Sequence, residues 1–124
     1  MIVIVAGSRS ITEMAAVEAA IAASAFTELV CGMAPGVDLL GKAWANARGI
    51  KVTEFPADWY PHGRDGGLDR GAGMQRNLRM GVYVRDRGGG GLVAVWDGVS
   101  KGTAQMIQFA RRMKLQVYVH EVQP

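Results

Sequence analysis

Short apolar runs alternate along the chain with stretches in which apolar residues recur every three or four positions. The short runs predict strands, and the periodic stretches predict amphipathic helices. The predicted strands are 2–6, 29–31, 50–55, 92–96 and 116–119. One predicted helix ends near residue 24, and three others cover about 37–48, 74–84 and 103–113. The first helix follows Ser10 and Glu13, which have the spacing of a capping box.

This alternation predicts the α/β class, with a Rossmann-like three-layer sandwich and a five-stranded, mainly parallel sheet of order 3-2-1-4-5. No internal repeat is visible, so residues 1–124 are predicted to form a single domain. In such sheets ligands bind beyond the carboxyl ends of the strands, where the strand order reverses. The turns at 7–10 and 97–103 are therefore expected to meet in one crevice.

Two connecting segments stand out. Residues 56–73 are irregular, and a loop of that length in a small domain is usually functional or mobile. Residues 85–91 (RDRGGGG) predict a flexible connection, and the sequence leaves open whether it acts as a lid.

Composition narrows the class of protein. The chain is 49% apolar and 20% charged, which is typical of a globular domain. Its formal charge of +3 is far from that of a nucleic-acid-binding arm. The single cysteine, Cys31, excludes an intramolecular disulfide and favours the reducing cytoplasm. No apolar run approaches the roughly 20 residues of a membrane span, and no signal-peptide pattern is present, so we expect a cytoplasmic protein without membrane contact.

Three strand-to-helix turns are rich in glycine: AGSRS at 6–10, CGMAPGVD at 31–38 and WDGVSKGT at 96–103. Glycine allows the backbone to approach a ligand closely, and the free amides at a helix start favour phosphate. Two of the turns also carry a cation, Arg9 or Lys101. Neither GxxxxGK[ST] nor GxGxxG occurs, which disfavours a P-loop NTPase and a standard dinucleotide dehydrogenase.

These turns, together with FPADW at 55–59 and the pair Arg76-Asn77, resemble the SLOG superfamily from residue 1 to about 119. That superfamily joins the cytokinin-activating LOG phosphoribohydrolases, the DNA-processing protein DprA and many small bacterial and phage proteins. The chain is most similar to the uncharacterised YspA-like branch. The resemblance implies a Rossmann-like sheet with a pocket for a nucleotide or a nucleotide-derived ligand.

The residues expected to bind the ligand or its phosphate lie on the three turns and at the Arg76-Asn77 pair. They are Gly7, Ser8, Arg9, Gly32, Gly36, Asp38, Arg76, Asn77, Gly98, Ser100, Lys101, Gly102 and Thr103. Trp59 is a candidate for stacking on a base. No metal site is predicted because HxxxH and CxxC spacings are absent, and no cofactor is assigned.

The sequence departs from the LOG pattern at two places. LOG enzymes end their last turn with PGGxGTxxE, and here the position of that glutamate falls on Met106. Met33 replaces the second glycine of the second turn, which is expected to restrict how closely backbone and ligand approach. Binding without LOG-type turnover is therefore the favoured function, and the catalytic residues stay unknown.

Two alternatives stay open. Glycoside cleavage needs a positioned carboxylate, which Asp38 or Asp97 could supply in a nucleoside-monophosphate phosphoribohydrolase. The arginine-rich segment 64–87 could instead bind single-stranded DNA in the manner of DprA, although nucleic acid is the less favoured partner. Homo-oligomerisation and the identity of the ligand are also open.

Overall fold

Five parallel strands and four α-helices alternate in this computed structural model, which describes residues 1–22 and 24–123. The strands are β1 (Ile2–Gly7), β2 (Glu28–Cys31), β3 (Lys51–Glu54), β4 (Gly90–Trp96) and β5 (Gln116–Glu121). The helices are α1 (Met14–Ile21), α2 (Val37–Ala47), α3 (Ala72–Asp86) and α4 (Lys101–Arg112). A 3-10 turn, Arg64–Gly66, lies between β3 and α3.

The sheet has the order β3-β2-β1-β4-β5, and every neighbouring pair is parallel. Successive residues of β1 serve opposite faces: Val5 packs in a cluster with Val17 of α1, whereas Ile4 packs with Met80 of α3. Helices α1 and α2 therefore cover one face, and α3 and α4 cover the other. The predicted α/β class, three layers and strand order are confirmed.

The start of α1 differs from the prediction. The helix begins at Met14 after Glu13, without a side-chain cap. Ser10 lies in the preceding turn, where its hydroxyl donates to Asp97 Oδ2 at 3.0 Å. The capping-box prediction is therefore wrong, because a carboxylate from the neighbouring turn is the acceptor that Ser10 reaches. The predicted end near residue 24 passes through Ala23, which lies outside the described residues, and the helix ends at Ile21.

The glycine-rich segment 85–91 is not a flexible connection. Helix α3 continues to Asp86, and β4 already begins at Gly90. Gly88 and Gly89 have positive φ, and their N–H groups donate to carbonyls in the last turn of α3, as in a Schellman motif. A Cβ on Gly90 would overlap the Ile2 carbonyl oxygen and lie 2.8 Å from Val84 Cγ1. These glycines therefore meet conformational and steric requirements of a tight helix-to-strand turn.

Gly90→Ala tests this account. Because a methyl group there must displace β1 or α3, we expect the free energy of unfolding to fall by about 1–3 kcal/mol. Gly102→Ala is the matched control, since nothing lies within 4 Å of its Cβ position and alanine favours a helix over glycine by up to about 1 kcal/mol. Urea denaturation measures both. Equal stability of Gly90→Ala and the wild type would contradict the packing argument.

Candidate functional site

A cavity of about 420 Å³ opens at the carboxyl edge of the sheet, where the turns after β1 and β4 meet. Its size is that of an ordinary small-molecule site. The wall consists of Ala6, Gly7, Arg9, Ser10, Ala34, Asp38, Trp59, Gly73, Met74, Arg76, Asn77, Asp97, Ser100, Gly102, Thr103, Gln105 and Met106. The crevice thus lies at the predicted reversal of strand order.

Most of the residues predicted for the site contribute to this wall. They are Gly7, Arg9, Asp38, Trp59, Arg76, Asn77, Ser100, Gly102 and Thr103. The other predicted residues, which lie off the wall, are Ser8, Gly32, Gly36, Gly98 and Lys101. The surroundings of each of these five residues explain why it does not line the cavity.

Gly32 holds two wall residues in place. Its N–H donates to Asp38 Oδ2 at 3.0 Å, and its carbonyl oxygen accepts a hydrogen bond from Arg76 Nη1. A Cβ on Gly32 would lie 2.8 Å from both Arg76 Cζ and Asp38 Oδ2. Gly32 therefore supports these two side chains, and position 32 must be glycine because a Cβ there would overlap them.

Asp38 and Arg76 are charged groups taken largely out of water, with 4% and 9% of their surface exposed. Burial raises the pKa of Asp38 from 3.8 to about 6, although the charge of Arg76 and backbone N–H groups act in the opposite direction. Burial likewise lowers the pKa of Arg76, and Asp38 opposes that change. A carboxyl group with such a pKa exchanges its proton near neutral pH, which is what general acid–base chemistry uses.

Arg76 is also oriented by its neighbour. Its Nε donates to Asn77 Oδ1 at 2.8 Å, and Asn77 Nδ2 donates to the Gly102 carbonyl at 3.4 Å. These bonds connect α3 with the first turn of α4 across the cavity. The predicted pair 76–77 thus acts as one unit, in which Asn77 fixes the plane of the guanidinium.

Asp97 forms the centre of a second polar unit. Its Oδ1 accepts the N–H groups of Val99 (2.9 Å) and Ser100 (2.8 Å), and its Oδ2 accepts the Ser10 hydroxyl. The hydrogen bond from Ser100, followed by that from Val99, lowers the pKa of Asp97 to about 2. Asp97 is therefore a carboxylate that accepts three hydrogen bonds within the protein, and it is not a proton donor at neutral pH.

Ser8 links the turn after β1 to the turn after β4 through hydrogen bonds. It is 1% exposed, and its hydroxyl accepts the Asp97 N–H at 3.0 Å while its own N–H donates to the Val95 carbonyl. Ser8 does not line the cavity, and its direct contact with a ligand stays a prediction. Its hydroxyl is used within the protein, to hold β1 and β4 together where they end.

Two predicted glycines serve packing within turns. Gly36 has φ +85°, and a Cβ there would lie 2.5 Å from the Ser8 carbonyl oxygen. Gly98 has φ +82°, and its Cβ would lie 2.7 Å from Glu121 Oε1. Both positions need glycine for backbone reasons, and neither reaches the cavity. Lys101 is also off the wall, because its side chain is exposed at the start of α4.

Met33 occupies a backbone conformation that favours glycine, with φ +62°. Its side chain packs against the core cluster under α1 and α2 and contributes nothing to the cavity wall. The effect of Met33 on ligand approach stays a prediction. Met33 therefore keeps a left-handed backbone conformation that a glycine would adopt with less strain.

Trp59 anchors the long segment between β3 and α3. Its carbonyl accepts the Asp69 N–H at 2.7 Å, and its ring lies over Gly73, where a Cβ would be 3.2 Å from Trp59 Cη2. The half-buried ring also borders the cavity. Trp59 therefore fastens the loop to α3 and presents an aromatic surface to the cavity.

Some wall residues were not among the predicted ligand contacts. Ser10 and Asp97 lie on the two turns that were expected to meet in the crevice, and Asp97 was considered only as a possible catalytic carboxylate. Gly73 and Met74 lie one turn before Arg76-Asn77, so helical spacing could have indicated them. Ala6 and Ala34 are small residues without any chemical signature.

The comparisons with known proteins identify the family. A Rossmann-like sheet with a cavity at the reversal of strand order has the arrangement in which open α/β sheets bind ligands. The model of the YAcAr family, described as the YspA, cpYpsA-related SLOG family, matches residues 1–62, and the chain belongs to this family. Membership points to a nucleotide-related ligand-binding fold. No curated protein and no solved structure matches the chain.

Residues 1–22 and 24–123 contain neither a membrane-spanning helix nor a metal-binding group of side chains. None of the helices there has both the length and the apolar composition needed to cross a membrane. In that same part of the chain, no three His, Cys, Asp or Glu side chains are grouped so that they could hold a metal ion.

Asp38→Asn should change the pH dependence of stability in the absence of ligand. Because the folded-state pKa of Asp38 lies above 3.8, its stabilising contribution is complete below about pH 4 and is lost as pH rises through about 6. We expect the wild type to lose on the order of 2–3 kcal/mol relative to Asp38→Asn between pH 4 and 7. Denaturation at several pH values measures this, and parallel curves for the two proteins would contradict it.

Proposed function

We propose that this protein binds a nucleotide or a nucleotide-derived phosphorylated ligand in the cavity, without LOG-type turnover. The observation that carries the proposal is the presence of Arg9, Arg76 and the start of α4 on one cavity wall. Arginine is well suited to phosphate because its planar guanidinium offers paired donors. The family membership supports a ligand of this kind.

The helices add to the attraction for an anion. Helices α2, α3 and α4 each contribute a first-turn residue to the wall, namely Asp38, Gly73 and Thr103. The first turns of three helices therefore border the same space, where the positive ends of helix dipoles favour an anion. Helix α4 has no side-chain cap, so the N–H groups of its first turn suit a phosphate oxygen.

The wall also has apolar members that suit a base or another flat group. Trp59 and Met74 contribute, and an aromatic ring can stack on any nucleobase. A wall with both arginine and aromatic side chains suits a ligand that has a phosphate and a ring.

The residues at positions 97 and 106 disfavour LOG-type turnover. The place of the LOG glutamate is taken by Met106, which is 1% exposed and cannot transfer a proton. Asp97 stays ionised and is engaged in hydrogen bonds, so it does not replace that glutamate.

Thermal shift with Arg9→Ala tests the binding site. A ligand present at a hundred times its dissociation constant stabilises the folded state by roughly 2.7 kcal/mol, which raises the melting temperature by several degrees. We expect at least one of AMP, GMP, ADP-ribose, NAD, cyclic dinucleotides or inorganic phosphate to do so. Arg9→Ala should weaken that binding by about tenfold or more, which corresponds to the loss of one charge-assisted contact.

Arg112→Ala is the matched control for this measurement. Arg112 is an exposed arginine at the far end of α4 and lies off the wall. An equal loss of affinity in both variants would indicate a general charge effect. An unchanged affinity in Arg9→Ala would contradict the placement of the phosphate.

One observation favours a second function, a nucleoside-monophosphate phosphoribohydrolase. Asp38 is a buried carboxyl on the wall whose pKa of about 6 suits a general acid or base. If this function holds, wild-type protein releases free base from a nucleoside monophosphate and Asp38→Asn abolishes the release while keeping the affinity for the nucleotide. Chromatography of the reaction mixture measures the base. No release by the wild type would leave binding alone.

DprA-like DNA binding has no comparable support. Within the segment 64–87, Arg76 is buried, Arg85 pairs with Asp86, and Arg87 stacks on Tyr83. These three arginines are engaged within the protein.

A further inference from the structure

The charges on the cavity wall are balanced. Two cations, Arg9 and Arg76, face two carboxylates, Asp38 and Asp97. A phosphate monoester carries about two negative charges at neutral pH, and each further phosphate adds more. A wall with this balance favours a ligand of small charge. The two carboxylates differ in how far their negative charge is compensated within the protein.

Asp38 is compensated within the protein. It is buried beside Arg76, which lies with it over Gly32, and the charge of Arg76 acts on its ionisation. Asp97 has no such partner: among the residues described, it forms no salt bridge with a lysine or arginine. Its negative charge therefore stays effective at the rim of the cavity.

Asp97 also occupies part of the anion-binding backbone. The amides of Val99 and Ser100 precede α4, and in a phosphate-binding turn such amides face the ligand. Here both donate to Asp97 Oδ1. The turn thus already holds one anionic group of the protein, and the amides of Lys101, Gly102 and Thr103 are left for a single phosphate.

We infer that Asp97 is a specificity-determining residue that limits the cavity to ligands with one phosphate group. Its carboxylate is fixed by three hydrogen bonds, so it cannot turn away from a second phosphate placed along the turn. The inference rests on the proposed binding function and adds the class of ligand: monophosphates are accepted, and di- and triphosphates are rejected by charge.

Asp97→Asn isolates the charge. The amide oxygen can still accept the N–H groups of Val99 and Ser100, and the amide nitrogen can donate to the Ser10 hydroxyl, which then acts as the acceptor. Asp97→Ser provides a second variant, because a serine hydroxyl forms a similar turn without the charge. Glu121→Gln is the matched control, since it removes one exposed negative charge near Gly98 without touching the wall.

The measurement is calorimetric titration with AMP, GMP, CMP and UMP and with the corresponding diphosphates, at low and high salt. For the nucleotides that bind, we expect the wild type to prefer the monophosphate by about tenfold or more. Asp97→Asn and Asp97→Ser should reduce this preference by at least about threefold, and Glu121→Gln should leave it unchanged. The difference should shrink at high salt, as a charge effect does and a purely structural effect does not.

The outcomes separate the two proposals. If the wild type binds mono- and diphosphates equally, or if Glu121→Gln has the effect of Asp97→Asn, the charge selection is wrong and the binding function stands. The same holds if both Asp97 variants keep the wild-type preference. If none of these nucleotides binds the wild type, the proposed function is overturned for them, and the selection with it.

Discussion

The buried link from Gly32 to Asp38 and Arg76 is the contact on which the cavity depends. It joins the end of β2 to the first turn of α2 and, through Arg76, to α3 on the opposite face of the sheet. Two buried ionisable groups are hydrogen-bonded by the backbone of a single residue, because that residue offers both a donor and an acceptor. Any side chain at position 32 would separate them and open the middle of the wall.

A second link, through Ser8 and Asp97, acts at the neighbouring strand ends. The first link positions the guanidinium of Arg76 at the cavity, and the second fixes the carboxylate of Asp97 at its rim. Among the residues described, no buried side-chain polar atom lacks a hydrogen-bond partner. The polar side chains of the wall are therefore preorganised by contacts within the protein.

The sequence allowed the fold to be predicted because β-branched runs and helical spacing together admit few arrangements once right-handed crossovers are imposed. It also placed Arg9 and Asp38 near each other, since strand ends in a parallel sheet share one edge, whereas Arg76 was assigned through the family resemblance. It could not separate ligand contacts from internal ones. Ser8 and Gly32 have the residue types of a phosphate-binding turn, and only their three-dimensional partners show that they serve the protein itself.

The tight turn between α3 and β4 has a consequence for how the chain can change in length. Gly88 and Gly89 terminate α3, and β4 begins at the next residue. The residues of β4 alternate between the two faces of the sheet. Loss or gain of one residue here would exchange Leu92 with Val93 and rotate the whole strand by one position. The number of residues between Asp86 and Gly90 is therefore fixed by the sheet, so an insertion there is tolerated only with a compensating bulge.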